Sequence, residues 1–584
     1  MSIELDLPSC SLLAALCVAI AVIVLKYSNQ PDTHPRMLCY QSEFYPASCS
    51  GESAIIRSKL YPKGPPSLST IETLSGFYHT CLSRNKEGKQ LFLGARANRQ
   101  STILWHSYDN ALERVKHIYS GLICKTNLRP CTDKSSSFLG IYASCSPEVY
   151  MTEIACHWGG LVTVPIAAQA ISSHILHVIR NAGLSVLMID DTHLEFILDL
   201  ILGSSITHII VITHEQQSYR EMEPLYGIKI FSLFDLEKIG QEYVIERHKK
   251  ISPDSIASIY YSNPKHNTFS DHTNRQEEKS LGVVLTHKNI MSVIGKLLYS
   301  YSISLDRVQL ASYLVHFPSS HKATPKDRLM HSYSIDNILG YVFEAVICYA
   351  GGSVVFEDKV LLNEFNLDTS LILPAIYESK PTIYASGGPF LRQIQKTIES
   401  KYGNSFLYHR GLDRKCRYHN QGKVVSDCIY DMLVFRDIRQ RMFGGSIRVL
   451  LVEDDDAPKT DICTFYRAVL GAQVIKTFSR PEMSSSMVAT IVYDYTHDKR
   501  AIGAPLACSE IKLIDTKEYT VKDVPHPRGE IQVRGSHIFK GYWNHSALKD
   551  QNGWYSTGML GELLPNGTLI MLGSAIQQNM DNNK

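Results

Sequence analysis

The chain has 584 residues, 44% of them hydrophobic and 20% charged, an ordinary globular composition that excludes a disordered tail protein, a collagen and a small disulfide scaffold. Lys and Arg number 59 against 57 Asp and Glu, a net charge of +2 without a long basic run, so nucleic acid is not the expected partner. Fourteen cysteines are scattered, nine of them before residue 157, and none forms a C-x-x-C pair. That scatter reads as reduced, buried thiols and not as a zinc site or a disulfide framework.

Taken in chain order, the sequence opens with an uncharged, mostly apolar run from Leu7 to Leu25. Its length suits a membrane-spanning helix. Glu4 and Asp6 precede it and Lys26 and Arg36 follow it. A cleaved signal peptide would carry basic residues before the run, so the expectation is an N-terminal transmembrane anchor over 1–26. The basic residues after it place the body in the cytosol. Residues 27–66 hold Pro31, Pro35, Pro46, Pro62, Pro65 and Pro66 and read as a linker.

From about residue 67 apolar strands alternate with amphipathic helices. Ala111, Val115, Ile118 and Leu122 share one helical face, which predicts a helix over Ser107–Leu122. A strand over Phe138–Ala143 follows, then a helix over Pro147–Gly159 with proline in its first turn. Strands are expected over Leu161–Pro165, Ser185–Ile189 and Ile206–Ile212, with a helix over Ile171–Ala182. This rhythm predicts parallel sheets with helices on both faces. It resumes with a Gly351-Gly352 turn before Val354-Val355. Strands over Pro381–Tyr384, Arg448–Val452 and Gln473–Lys476 and helices over Phe390–Ser400 and Asp461–Leu470 complete it. Beyond residue 503 short strands dominate (Ile511–Asp515, Gly529–Arg534, Phe539–Tyr542, Gly567–Met571), which suggests a small antiparallel, barrel-like subdomain. No G-x-S-x-G elbow is present, and His316, His321 and His331 are too dispersed for a zinc set.

Several segments carry a family resemblance. Gly503-Ala504-Pro505-Leu506, Arg528-Gly529-Glu530-Ile531, Phe539-Lys540-Gly541-Tyr542, Gly553-Trp554, Thr557-Gly558 and Leu564-Pro565-Asn566-Gly567-Thr568 occur in order. Upstream lies Leu281-Gly282-Val283-Val284-Leu285-Thr286-His287. Together these resemble the long-chain fatty acyl-CoA synthetases of the adenylate-forming, AMP-binding superfamily. The resemblance covers roughly 67–572 and implies an α/β fold of two βαβ-type sheets with a small β-barrel-like subdomain. It implies that a fatty acid carboxylate attacks the α-phosphorus of ATP, and that coenzyme A then displaces AMP. The protein's part is positioning and charge stabilisation. The resemblance assigns Glu482, as Mg²⁺ ligand, and Thr286 to catalysis. It assigns Lys265, Gly282, Phe478 and Thr557 to nucleotide contacts. A long-chain fatty acid, a membrane and, as the alternative, a protein partner are the expected partners. The location expected is the endoplasmic reticulum or outer mitochondrial membrane.

The sequence departs from the family's pattern at nucleotide-handling positions. The phosphate loop should be glycine-rich so that backbone N–H groups close on phosphates. Here Tyr260-Tyr261-Ser262-Asn263-Pro264-Lys265 leads into a polar insertion, and Gly282 is the first glycine after it. Asp454-Asp455-Asp456-Ala457-Pro458 replaces a small-residue turn that lies against adenine. Thr477-Phe478-Ser479-Arg480-Pro481-Glu482 keeps an aromatic and a carboxylate but puts proline where the family has a phosphate-binding threonine. Thr557-Gly558-Met559 has a thioether where the family has a ribose-holding Asp. The hinge position reads Gly573-Ser574, and 573–584 reads as a polar tail in place of a lysine-bearing C-terminal domain. The sequence therefore predicts a family member whose ATP-dependent activity is weak or lost. The alternative is a silent, membrane-anchored protein that binds fatty acid or a protein partner.

Overall fold

The computed structural model describes residues 38–59, 71–84, 90–96, 103–131, 137–213, 226–246, 251–261, 280–294, 324–357, 369–453, 462–495, 500–545 and 550–574, with the isolated residues 16, 32 and 219. They build two large sheets with helices packed on their faces.

One sheet has a parallel half in the order Leu91–Arg96, Ser353–Phe356, Arg328–His331, Ile383–Gly387, Val449–Glu453 and Gln473–Arg480. It turns antiparallel at Ser485–Ala489 and continues through Ala501–Pro505, Leu569–Ser574, Tyr555–Leu563, Arg528–Arg534 and Glu510–Ile514. The second sheet runs Gly541–Tyr542, Gly282–Thr286, Ile256–Tyr261, Val162–Ala167, Phe138–Ala143, Val186–Asp190, His208–Ile212 and Lys229–Ser232. Its strands from Val162–Ala167 to Lys229–Ser232 are parallel and almost wholly buried. Continuous Val/Ile/Leu runs are what strands covered on both faces require.

Two central helices show how local sequence sets the elements. Pro147–Gly159 starts at Ser146, whose hydroxyl accepts the Val149 N–H, and ends at Gly160 with φ 77°. Ile338–Ala350 starts at Asn337, whose side chain accepts the Leu339 N–H, and ends at Gly351 with φ 76°. A polar cap at the start and a left-handed glycine at the end satisfy the orphan backbone groups. Every residue of the first helix is buried, as are all but the last of the second; such helices belong inside the core.

The α/β reading holds, with two corrections. The stretch read as a linker contains the paired strands Ser42–Tyr45 and Ile55–Ser58, which extend the antiparallel edge beside Glu510–Ile514; Ile55 and Ile56 are both buried. The strands beyond residue 503 form no separate barrel, because they continue the large sheet through Ser485–Ala489. The longest of them, Tyr555–Leu563, has glycines at 558 and 561 that hide its alternation. The expected membrane anchor, Leu7–Leu25, lies outside the described residues apart from Leu16. Among the described residues no helix is long and apolar enough to cross a membrane, so the anchor gains no support from them.

Candidate functional site

Arg328–His331 is flanked by Ser353–Phe356 on one side and Ile383–Gly387 on the other. The chain therefore leaves this strand in opposite directions over two successive crossovers. Ligands of open α/β sheets bind beyond the carboxyl ends of strands at such a switch point. The ends here are His331, Gly387, Glu453 and Arg480.

Glu453 ties this rim together. Asn337, the cap of the buried helix, donates Nδ2–H to Glu453 Oε2 at 2.9 Å. The Ser479 hydroxyl donates to the other carboxylate oxygen. Beside it, His331 Nε2 lies 2.8 Å from Glu344 Oε1, and both side chains are buried. Glu153 faces the same pocket. Burial raises the Glu153 carboxyl well above its ordinary range, and Glu344 adds to that shift. Burial raises Glu344 too, against the opposing His331 contact. The pocket offers about 10 Å³, room for roughly one water.

After Arg480 the strand gives way to the turn Pro481–Met483. Glu482 is buried there. Its Oε1 accepts the Tyr542 hydroxyl at 3.0 Å, and its backbone carbonyl accepts the Phe539 N–H at 2.9 Å. The Tyr555 hydroxyl is 3.5 Å from that of Tyr542. Burial and the nearby Glu482 carboxylate both raise the Tyr542 hydroxyl pKa, which keeps it a donor. Arg480 lies over the buried Phe478 ring at 5.5 Å and points Nη2 at Met559 Sδ, 3.4 Å away.

The structure joins Thr286 to this region through a chain of hydrogen bonds. The Thr286 hydroxyl donates to Asn289 Oδ1 at 2.9 Å and accepts the Asn289 N–H at 3.2 Å, closing the first turn of His287–Ile294. Asn289 Nδ2 donates to the carbonyls of Ser536 and Ile538, next to Phe539. Gly282 is a ladder residue opposite Tyr261. A Cβ there would meet the Tyr261 ring at 2.7 Å, so glycine makes room for the ring. Thr557 sits across the antiparallel sheet, its hydroxyl donating to the Ile531 carbonyl at 2.8 Å. Lys265 and Asp454–Asp456 lie outside the described residues.

Among the described residues, Thr286, Thr557 and one oxygen of Glu482 are thus engaged inside the protein. The Tyr542 bond engages one of the two carboxylate oxygens of Glu482. Among the described residues no set of three or more His, Cys, Asp or Glu is arranged to hold a metal. Met559 cannot accept two ribose hydroxyls. Reading the sequence alone missed Glu453, Asn337 and the Tyr542–Glu482 bond. The signals were present: Asn337 directly precedes an apolar helix, and Tyr542 stands in the motif beginning at Phe539.

Residues 281–543 match the family model described as AMP-binding enzyme. The chain is 26% identical over 480 residues to long-chain-fatty-acid–CoA ligase 5 of Rattus norvegicus, covering 80% of this chain and 64% of that protein. It is 26% identical over 589 residues to long-chain-fatty-acid–CoA ligase 6 of Homo sapiens, covering 97% and 76%. Among solved structures it is similar to the A domain of carboxylic acid reductase from Segniliparus rugosus in complex with AMP (TM-score 0.64, 16% identity, 86% of this chain and 74% of that one). It is also similar to a long-chain-fatty-acid-CoA ligase from Archaeoglobus fulgidus (TM-score 0.62, 15% identity, 89% and 88%). The chain spans less than two thirds of the length of the rat ligase. The chain thus carries an AMP-binding segment, is similar in sequence to long-chain fatty acid–CoA ligases and shares the fold of the adenylation-domain structures.

Proposed function

We propose that this protein is a membrane-associated, fatty-acid-binding relative of the long-chain ligases in which the ATP-dependent activation step is strongly weakened. The family uses ATP and coenzyme A, and the relatives' names specify long-chain fatty acids. One observation carries the reading of weakened activation. Polar groups expected at the nucleotide are engaged within the protein: Thr286 by Asn289, Thr557 by Ile531 and one oxygen of Glu482 by Tyr542. Thr286 and Thr557 have each donated their only hydroxyl proton and must break that bond before donating to a transition state, and loss of one positioned donor costs about 3 kcal/mol in a hydrolase oxyanion hole.

A working ligase is the second reading. It draws on Glu482 and Phe478, which keep a carboxylate for Mg²⁺ and a ring for adenine. The test is pyrophosphate release and acyl-AMP formation by the full chain from ATP, Mg²⁺ and long-chain fatty acids, beside a Glu482→Ala control. The expected result is turnover close to the control, with fatty acid raising the unfolding temperature. Turnover well above the control would overturn the proposal in favour of the ligase.

A further inference from the structure

The helical layer of residues 401–443 carries a surface that the nucleotide site does not use. The helix Phe406–Asn420 turns its buried residues, Tyr408, Gly411, Lys415 and His419, toward the body. Its outward face carries Arg410, Arg414 and Arg417, with Phe406 and Leu407 at its first turn. The π-helical turn Asp431–Phe435 packs against it: the rings of Tyr408 and Phe435 lie 6.0 Å apart, and a Cβ at Gly411 would meet Phe435 at 2.8 Å. Next to that contact, Ile429, Met432 and Leu433 stand out into solvent. Phe406 is 77% exposed and Met432 74%.

The charge of this layer is lopsided. Residues 401–443 hold nine Lys and Arg against four Asp and Glu, in a chain whose net charge is only +2. Of the four acids, Asp431 is buried between Lys415 Nζ at 2.6 Å and Arg439 Nη1 at 2.5 Å. That bond fixes the two elements to each other and removes the carboxylate from the surface. Asp437 is paired with Arg441. What faces outward is an apolar cluster among arginines, which outnumber the two exposed acids Asp413 and Asp427, the pattern of a segment lying in the headgroup region of an anionic bilayer.

The route of the chain supplies a second, independent observation. Asp32 is docked at the far end of the same helix: its N–H donates to the Gly422 carbonyl and its Oδ2 accepts the Val424 N–H, both at 2.9 Å. The apolar run ends at Leu25, seven residues upstream, which spans at most about 25 Å. The helix is 15 residues, about 22 Å long. An anchor formed by that run would hold the basic helix within reach of the membrane surface.

We propose that the face formed by Phe406–Asn420 and the turn after Ile429 docks the body on an anionic lipid bilayer, with Phe406, Met432 and Leu433 entering the headgroup region. The proposal deepens the membrane association proposed above and rests partly on it, so the test separates the two. The full chain is reconstituted into vesicles of phosphatidylcholine, alone or mixed with phosphatidylserine, with bromine-labelled acyl chains as the quencher. Tryptophan is introduced by Phe406→Trp, Met432→Trp or, as a control on the exposed loop between Glu510–Ile514 and Arg528–Arg534, Val524→Trp. In the mixed vesicles Phe406→Trp and Met432→Trp are expected to be quenched at least about twofold more than Val524→Trp, because only side chains at the acyl boundary meet the label. Adding Arg410→Glu, Arg414→Glu and Arg417→Glu to Met432→Trp is expected to weaken docking by about tenfold or more. Quenching that is equal at all three sites, or absent at 406 and 432, would overturn the proposal; the latter is also the outcome if a protein covers this face. Equal quenching with and without phosphatidylserine would overturn the anionic requirement. Alkaline carbonate extraction reads the anchor separately: a protein that is released lacks the anchor, whatever the quenching shows.

Discussion

The bond between Tyr542 and Glu482 is the sharpest point at which to test the site. Tyr542→Phe removes one hydroxyl and leaves the ring against Phe539, with centroids 4.9 Å apart. The loss therefore falls on the Glu482 carboxylate, which is only 8% exposed and recovers little from water. A hydrogen bond to a charged group contributes about 1.5–3 kcal/mol, and an unsatisfied buried partner pushes the cost to the upper end. We expect a destabilisation of about 2 kcal/mol. A chain of this length does not unfold in one step, so the local transition is followed by the fluorescence of Trp543 and Trp554 in urea. A double-mutant cycle with Glu482→Gln isolates the pair, and a coupling of about 1–2 kcal/mol is expected for groups in contact. Tyr542→Phe alone also frees a carboxylate oxygen of Glu482, so Mg²⁺-dependent nucleotide binding should strengthen. A coupling below about 0.5 kcal/mol, within the error of additivity, together with unchanged nucleotide binding, would refute the reasoning that Tyr542 holds Glu482 away from metal.

Three further outcomes are expected. His157 lies 2.6 Å from the Tyr341 hydroxyl and 3.0 Å from that of Ser258; burial and then His287 lower its pKa to about 3, and burial lowers that of His287 to about 4. In the unfolded chain both titrate near 6.5, so unfolding takes up protons below that pH. Their contribution is complete above about pH 6.5 and falls as the pH drops toward about 4, by roughly 1.4 kcal/mol per group per unit; urea midpoints at neutral and acid pH should show this, His157→Gln should flatten it, and identical slopes would count against it. Gly503 has φ 129°, and a Cβ there would lie 2.0 Å from the Ala489 carbonyl oxygen; Gly503→Ala should cost about 3 kcal/mol or more, read as a lower urea midpoint, and an unchanged midpoint would contradict the close approach. Met559→Asp, beside Arg480, should raise ATP or AMP affinity by about tenfold or more in equilibrium dialysis, since a site that pairs a hydroxyl discriminates strongly against losing the partner; unchanged affinity would show that the ribose does not lie there.

Most of the parallel framework was legible because each strand is covered on both faces. Phe138–Ala143 and Pro147–Gly159 match the expected spans, and their neighbours shift by one to three residues. An apolar run bounded by Ser, Pro or Gly leaves little choice of element. The antiparallel part was harder to read. Tyr555–Leu563 carries polar and glycine positions at its bulged register, and Ser42–Tyr45 is a short edge strand with an exposed Phe44. Edge and bulged strands take their stability from the partner across the ladder, which local sequence does not encode. The helix Phe406–Asn420 was passed over for a related reason: its outward face is basic and its first turn apolar, which blurs the usual stripe.

The site divides along the same line. A motif states which residue types stand in order, but not what each side chain bonds. Glu482 was found as a carboxylate; that it accepts Tyr542 depends on Gly541–Tyr542 pairing with Gly282–Thr286, more than two hundred residues away from that strand in sequence. Thr286 and Thr557 were found as hydroxyls, and both are spent on holding backbone: one closes a helix, the other fastens two strands. In each case the motif residue still performs the packing half of its task. Met559 stands where the resemblance implies Asp, whereas Gly503, Gly282 and Gly561 are required by close contacts to Ala489, Tyr261 and Ile531. Glycines under steric constraint answer to the stability of the fold, whereas a ribose clamp answers only to the nucleotide. Sterically required glycines at 503 and 282 beside a thioether at 559 support the proposed reading, in which the fold serves binding and the adenylation step is weakened.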